Sequence, residues 1–161
     1  MIAAPRISAD ERLAIEDLYA AYVATLDGER YDEWPAFFFE ECTYRIVPRE
    51  NWQKGLPLAT LSFESRGMLE DRIYAVRETI FHEPYVMRHL VSNFVVAAEG
   101  GDYRVEANYI VLRTKRGSSE IFSTGRCYDV IGRDDDGNLR FKEKVAVFDN
   151  ELIHNSLIYP I

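Results

Sequence analysis

From Val86 onward the chain is almost continuous strand material, and that half limits the folds it can reach. Four segments, approximately Val86 to Ala98, Tyr103 to Lys115, Glu120 to Ile131 and Leu139 to Phe148, are rich in β-branched and aromatic residues. Gly100-Gly101, Gly117-Ser118 and Asp136-Gly137 join them and supply the positive backbone angles that hairpins need. An antiparallel meander is the simplest arrangement. In the last segment the alternation predicts Leu139, Phe141, Val145 and Val147 on one face and Arg140, Lys142 and Lys144 on the other, with Glu143 out of pattern.

The first half is different. Ser8 and Glu11 have the form of a capping box, and Ile15, Leu18, Tyr19, Tyr22, Val23 and Leu26 then recur at helical spacing. Asp27-Gly28 supplies the stop, through the left-handed conformation that glycine tolerates. A second, shorter helix is predicted with Asp32 as cap, Pro35 in its first turn, and Trp34, Phe37 and Phe38 on its buried side. Cys42 to Val47 reads as a strand ended by Pro48, Asn51 to Pro57 as a loop, and Ala59 to Phe63 as a short strand. Met68 to Val76 is a helix with Glu70 and Asp71 near its positive end. Helices first and a long antiparallel sheet afterwards indicate an α+β architecture, a curved sheet wrapped around helices.

With 161 residues and no linker rich in Pro, Gly or Ser, one domain spanning 1–161 is expected. A chain of this length buries about 70% of its unfolded surface, enough for a real core. The net charge of −8 and the absence of any basic run longer than two disfavour nucleic acid and anionic lipid as partners. No stretch approaches eighteen apolar residues, and Met1 to Arg6 lacks the form of a leader, so a soluble, cytoplasmic protein is expected. Cys42 and Cys127 are isolated in apolar or aromatic surroundings, which suits buried thiols in a reducing compartment.

Several chemistries lack their residues. There is no glycine-rich phosphate loop, no G-x-S-x-G turn and no paired-cysteine spacing for zinc or an iron–sulfur cluster. His82, His89 and His154 with Glu83 have no pair at the i, i+4 spacing that favours an iron site, so no metal is expected. His89 follows Arg88 on the first long strand, so one of them faces the interior. His89 is then either a general base lining a cone or a structural histidine at a rim or interface. Asp71-Arg72, Arg88 and Glu143 are candidates for a buried charge cluster, serving acid–base chemistry with Tyr19, Tyr22 or Tyr44, or an ion-pair network at an interface. The tail from Ile153 to Ile161 is apolar enough to dock, on its own domain or on a neighbouring chain.

The order of these pieces resembles the small (β) subunits of Rieske-type aromatic-ring-hydroxylating dioxygenases. The matching residues are the helix ending in Asp27, Trp34-Pro35, Phe37-Phe38, Cys42-Thr43-Tyr44-Arg45, Pro48-Arg49-Glu50-Asn51, Gly55-Leu56-Pro57, Asp71-Arg72-Ile73-Tyr74, Arg88-His89 and Asn155 to Ile161. The Pro-Arg-Glu-Asn stretch and the tail look most like small subunits of salicylate-hydroxylating and terephthalate systems. The resemblance implies a cystatin-like (nuclear transport factor 2-like) cone and a non-catalytic role beside a catalytic α subunit. It places the Rieske iron–sulfur cluster and the mononuclear iron in that partner, with no cofactor in this chain. It also implies a homotrimer of this chain within a hexamer of α–β pairs. On that reading Trp34, Arg45, Arg88, His89 and Tyr159 are interface anchors and none is catalytic. The alternative is a stand-alone isomerase or dehydratase whose acid–base site is His89, Asp71 and Tyr44.

Overall fold

A computed structural model describes residues 7–79, 82–150 and 157–161. Helix α1 (Ala9–Asp27) opens on the capping box: the Ser8 hydroxyl accepts from the Glu11 N–H, and the Glu11 carboxylate accepts from the Ser8 N–H. Such a cap contributes about 1 kcal/mol. Its buried residues Ile15, Tyr19, Tyr22 and Leu26 follow the helical period. Gly28 closes the helix with φ −86°, and the left-handed residue is Glu29 (φ 57°), one position later than expected.

The second helix is a 3-10 turn, Tyr31–Phe37, with Arg30 at its start and no side-chain cap. Asp32 lies inside it and pairs with Arg77 at 2.5 Å. Pro35 is well past the first turn, tolerated because so short a helix forfeits little ladder. Phe38 begins strand β1 (Phe38–Pro48), which thus starts before Cys42. The expected loop after Pro48 contains a short helix, α2 (Arg49–Gln53), and β2 is confined to Leu61–Phe63. Helix α3 (Arg66–Glu78) is capped by Ser65, whose hydroxyl accepts from the Met68 N–H. Because it begins before Met68, Glu70 and Asp71 fall beyond its first turn, and Glu70 approaches Arg66 at 3.8 Å.

The four long strands are β3 (Val86–Glu99), β4 (Asp102–Lys115), β5 (Ser118–Arg133) and β6 (Leu139–Phe148), paired antiparallel in sequence order. Gly100 and Gly101 both have positive φ, as does the Arg116–Gly117 pair that turns β4 into β5. The complete sheet runs β2-β1-β6-β5-β4-β3. It is mixed, because β1 lies parallel to β6. No hairpin dictates that pairing: β1 and β6 are separated by α2, α3 and four strands, so a long crossover sets their direction. Helices α1 and α3 and the 3-10 turn pack on the concave side, over a core that includes Trp34, Phe38, Tyr44, Phe122 and Phe141.

An irregularity in β6 rearranges the expected faces. Ile131 pairs with Phe141 and Val130 with Glu143, so Lys142 is an extra residue against β5. Phe141 points into the core, and beyond the bulge Lys144, Ala146 and Phe148 do so. Val145 and Val147 instead join Val47 in a second cluster on the opposite face. The expected grouping of Phe141 with Val145 and Val147 is therefore wrong, and Glu143 is simply exposed. No helix among the described residues is long and apolar enough to cross a membrane.

Candidate functional site

Three regions follow from this architecture: the interior of the cone, a groove beside α1, and the outer face of the sheet. The interior is occupied by the protein itself. Trp34 Nε1 donates to the Tyr22 hydroxyl at 3.0 Å, and the Tyr22 and Tyr44 hydroxyls donate to the Ile161 carbonyl at 2.9 and 3.2 Å. The Ile161 N–H returns a bond to Tyr44 at 2.8 Å. Arg72 donates to the carbonyls of Leu157 and Ile158, so residues 157–161 dock on their own chain and seat Ile161 in this aromatic cage.

Deeper in the cone lies a buried ion pair. Lys144 Nζ is 3.1 Å from Asp129 Oδ2, and both side chains are closed to solvent. Asp129 also accepts from the Tyr19 hydroxyl at 2.5 Å and from the Val145 N–H at 3.0 Å. The rings of Tyr19, Tyr22 and Phe141 surround the ammonium at 4.8–5.1 Å. Burial by itself disfavours the charged lysine, but Asp129 and the polar groups beside it outweigh that, so the Lys144 pKa lies above its ordinary value. The Cys127 thiol, 3.9 Å from the ammonium, is pushed up to about 12 by burial and stays protonated. This is a structural network whose bonds close within the chain.

The groove runs between α1 and the edge strand β3, about 750 Å³ in volume, with Ala20, Val23, Val91, Phe94 and Tyr109 among its lining residues. His89 lines it too. Its Nδ1 is 2.7 Å from Asp27 Oδ1, and its backbone N–H donates to the same carboxylate at 3.2–3.3 Å. A carboxylate only accepts, so Nδ1 carries the proton. Nε2 is buried and has no hydrogen-bond partner among the described residues.

On the outer face, Leu90 stands beside Ile110, and Leu112 beside Ile121, in the registers of β3–β4 and β4–β5. Leu90, Ile110 and Ile121 are 53%, 40% and 58% exposed. Together they form an apolar patch larger than isolated surface residues would make.

Of the residues singled out from sequence, Trp34 is a core residue with no exposed surface. Arg88 is exposed and reaches the Asp27 carbonyl at 3.4 Å, while His89 faces inward, as alternation requires. Arg45 is half-buried and donates to the Pro57 carbonyl. Tyr159 stacks on Tyr31 at 4.8 Å and bonds His82 Nε2. Asp71, Arg88 and Glu143 are each exposed, so the expected buried charge cluster with Arg72 does not form. Its place is taken by Lys144 and Asp129, which the sequence reading missed because only the β6 bulge turns Lys144 inward. His89, Asp71 and Tyr44 share neither a hydrogen bond nor a cavity: Tyr44 is committed to Ile161, and Asp71 lies exposed on α3. No group of three or more His, Cys, Asp or Glu is placed to hold a metal ion among the described residues; His154 lies outside them.

The SnoaL-like domain model matches residues 8–144. The chain is 37% identical over 142 residues to the anthranilate 1,2-dioxygenase small subunit of Burkholderia cepacia, covering 87% of this chain and 88% of that protein. It is 32% identical over 146 residues to a terephthalate 1,2-dioxygenase terminal oxygenase β subunit of Comamonas sp., covering 88% and 93%. Among solved structures, the β subunit assigned to an aromatic-ring-hydroxylating dioxygenase of Novosphingobium aromaticivorans superposes with a TM-score of 0.83 at 35% identity, over 92% of this chain and 95% of that one. These likenesses cover both the helical half and the sheet, and the chain therefore belongs to the family of small (β) subunits of aromatic-ring-hydroxylating dioxygenases, built on a SnoaL-like domain.

Proposed function

We propose that this chain is the non-catalytic β subunit of an oxygenase that hydroxylates an aromatic carboxylate, holding a catalytic α subunit in its assembled form. The observation that carries this reading is the filled cone. An enzyme of this shape needs an open interior with converging polar groups. Here Tyr19, Tyr22, Trp34, Tyr44, Lys144 and Ile161 fill that interior, and their hydroxyl, indole and ammonium groups are bonded to one another, to Asp129 or to the Ile161 backbone. The described donors are scattered, so they do not fit an iron site, and the Rieske cluster and mononuclear iron belong on this reading to the α subunit. The class of substrate is taken from the names of the anthranilate and terephthalate relatives.

The apolar patch of Leu90, Ile110 and Ile121 supports the docking role, because an exposed patch of this kind is what a subunit contact buries. Arg88 beside it, with Arg45 and Tyr159 elsewhere, are the proposed polar contacts, in a trimer of α–β pairs. Trp34 serves that surface from inside, by fixing the cone. Co-expression tests the reading: a tagged α subunit should capture this chain, and lose it when Leu90 and Ile110 are both changed to Glu. An α subunit that assembles and turns over normally without this chain would reject the proposal.

A further inference from the structure

We propose that the groove between α1 and β3 binds a neutral aromatic alcohol, a phenol or catechol, whose hydroxyl donates to His89 Nε2. The imidazole is held by Asp27 through two of its own donors, the ring Nδ1–H and the backbone N–H. That arrangement fixes the tautomer and leaves Nε2 as a bare acceptor. Only 4% of the His89 side chain is exposed, and Nε2 is one of two buried side-chain polar atoms without a hydrogen bond among the described residues. A buried acceptor left unmade is costly, whereas the Asp129–Lys144 pair in the same chain is fully bonded.

The walls decide what can meet it. Val23, Val91 and Phe94 are apolar, and the Tyr19 and Phe94 rings meet edge to face at 5.0 Å, a surface suited to a flat ring. The volume of about 750 Å³ accommodates one substituted ring. Glu16, paired with Arg12 at 3.1 Å, and Asp17 stand at the rim and Asp27 lies behind the imidazole, so the carboxylates around the groove outnumber that one cation and disfavour a carboxylate ligand. An ammonium would have to shed its water against the apolar wall. A neutral hydroxyl satisfies both constraints.

The test titrates the full chain, labelled with 15N-histidine, with phenol and catechol, using toluene and benzoate as controls. Phenol should shift the His89 Nε2 resonance, and toluene and benzoate should bind about tenfold or more weaker, the weight of one hydrogen bond to a buried acceptor. His89→Phe should weaken phenol by a similar factor. Ala20→Phe, on the exposed side of α1, should block the groove while leaving the Asp27–His89 signals in place, and keeps the test valid if the histidine variant misfolds. No phenol binding, toluene binding as tightly as phenol, or phenol affinity unchanged in Ala20→Phe overturns the proposal.

Discussion

The cone's interior and the groove beside α1 both contain an acidic residue holding a basic one, yet the two pairs are finished differently. Asp129 is matched by Lys144, the Tyr19 hydroxyl and the Val145 N–H, and the ammonium has three aromatic rings around it. Asp27 takes two donors from His89, and the far side of the imidazole is unmet among the described residues. A buried polar group is structural when its bonds close within the chain, and is available to a ligand when one is left over.

Breaking the closed pair should have the largest effect. Asp129→Ala leaves an ammonium buried without its counter-charge and should cost about 3–5 kcal/mol of unfolding free energy in urea titrations. Replacing both partners, Asp129→Leu with Lys144→Met, should recover most of that loss, because the penalty comes from the orphaned charge. Next is the tail: Tyr44→Phe removes the hydroxyl that both donates to the Ile161 carbonyl and accepts its N–H. It should cost about 1–3 kcal/mol and speed amide exchange at Ile161.

The open pair should respond more in state than in stability. Asp27→Asn keeps the shape and should lower stability by only about 1 kcal/mol. Its amide can offer His89 a donor, so the 15N spectrum should show a larger share of the Nε2-protonated tautomer; an unchanged spectrum would mean that Asp27 does not set the tautomer.

The smallest effects are those of pH. The Lys144 pKa is raised, so its contribution is complete below the value of an unfolded lysine and is lost as pH rises through the folded value, leaving stability flat across neutrality. Asp134, bonded by Arg140, and Glu11, bonded by Tyr103 and Ser8, are held below the usual carboxylate range. Their contributions are present above the unfolded values and fade as pH falls through the folded ones, as a shallow acid limb in thermal melts, since both are at the surface.

Much of the architecture could be read before the structure. The period of 3.6 over Ile15 to Leu26 and the capping box specify α1, and glycine-bearing turns specify the β3–β6 meander, because these signals act between residues close in sequence. Arg88 and Glu143 were wrongly grouped with Asp71 for the same reason: alternation assigns a face along one strand but says nothing of the partner strand.

The sequence by itself therefore determined the helices, the long strands, that one of Arg88 and His89 turns inward, and the family of the chain. The parallel pairing of β1 with β6, the bulge at Lys142 that turns Lys144 inward, the meeting of Asp27 with His89, and the seating of Ile161 on Tyr22 and Tyr44 were decided only by the tertiary structure. Each joins residues far apart in the chain or depends on a one-residue shift against a neighbouring strand. Local periodicity is blind to both, because such a shift reverses every face beyond it without altering a single residue.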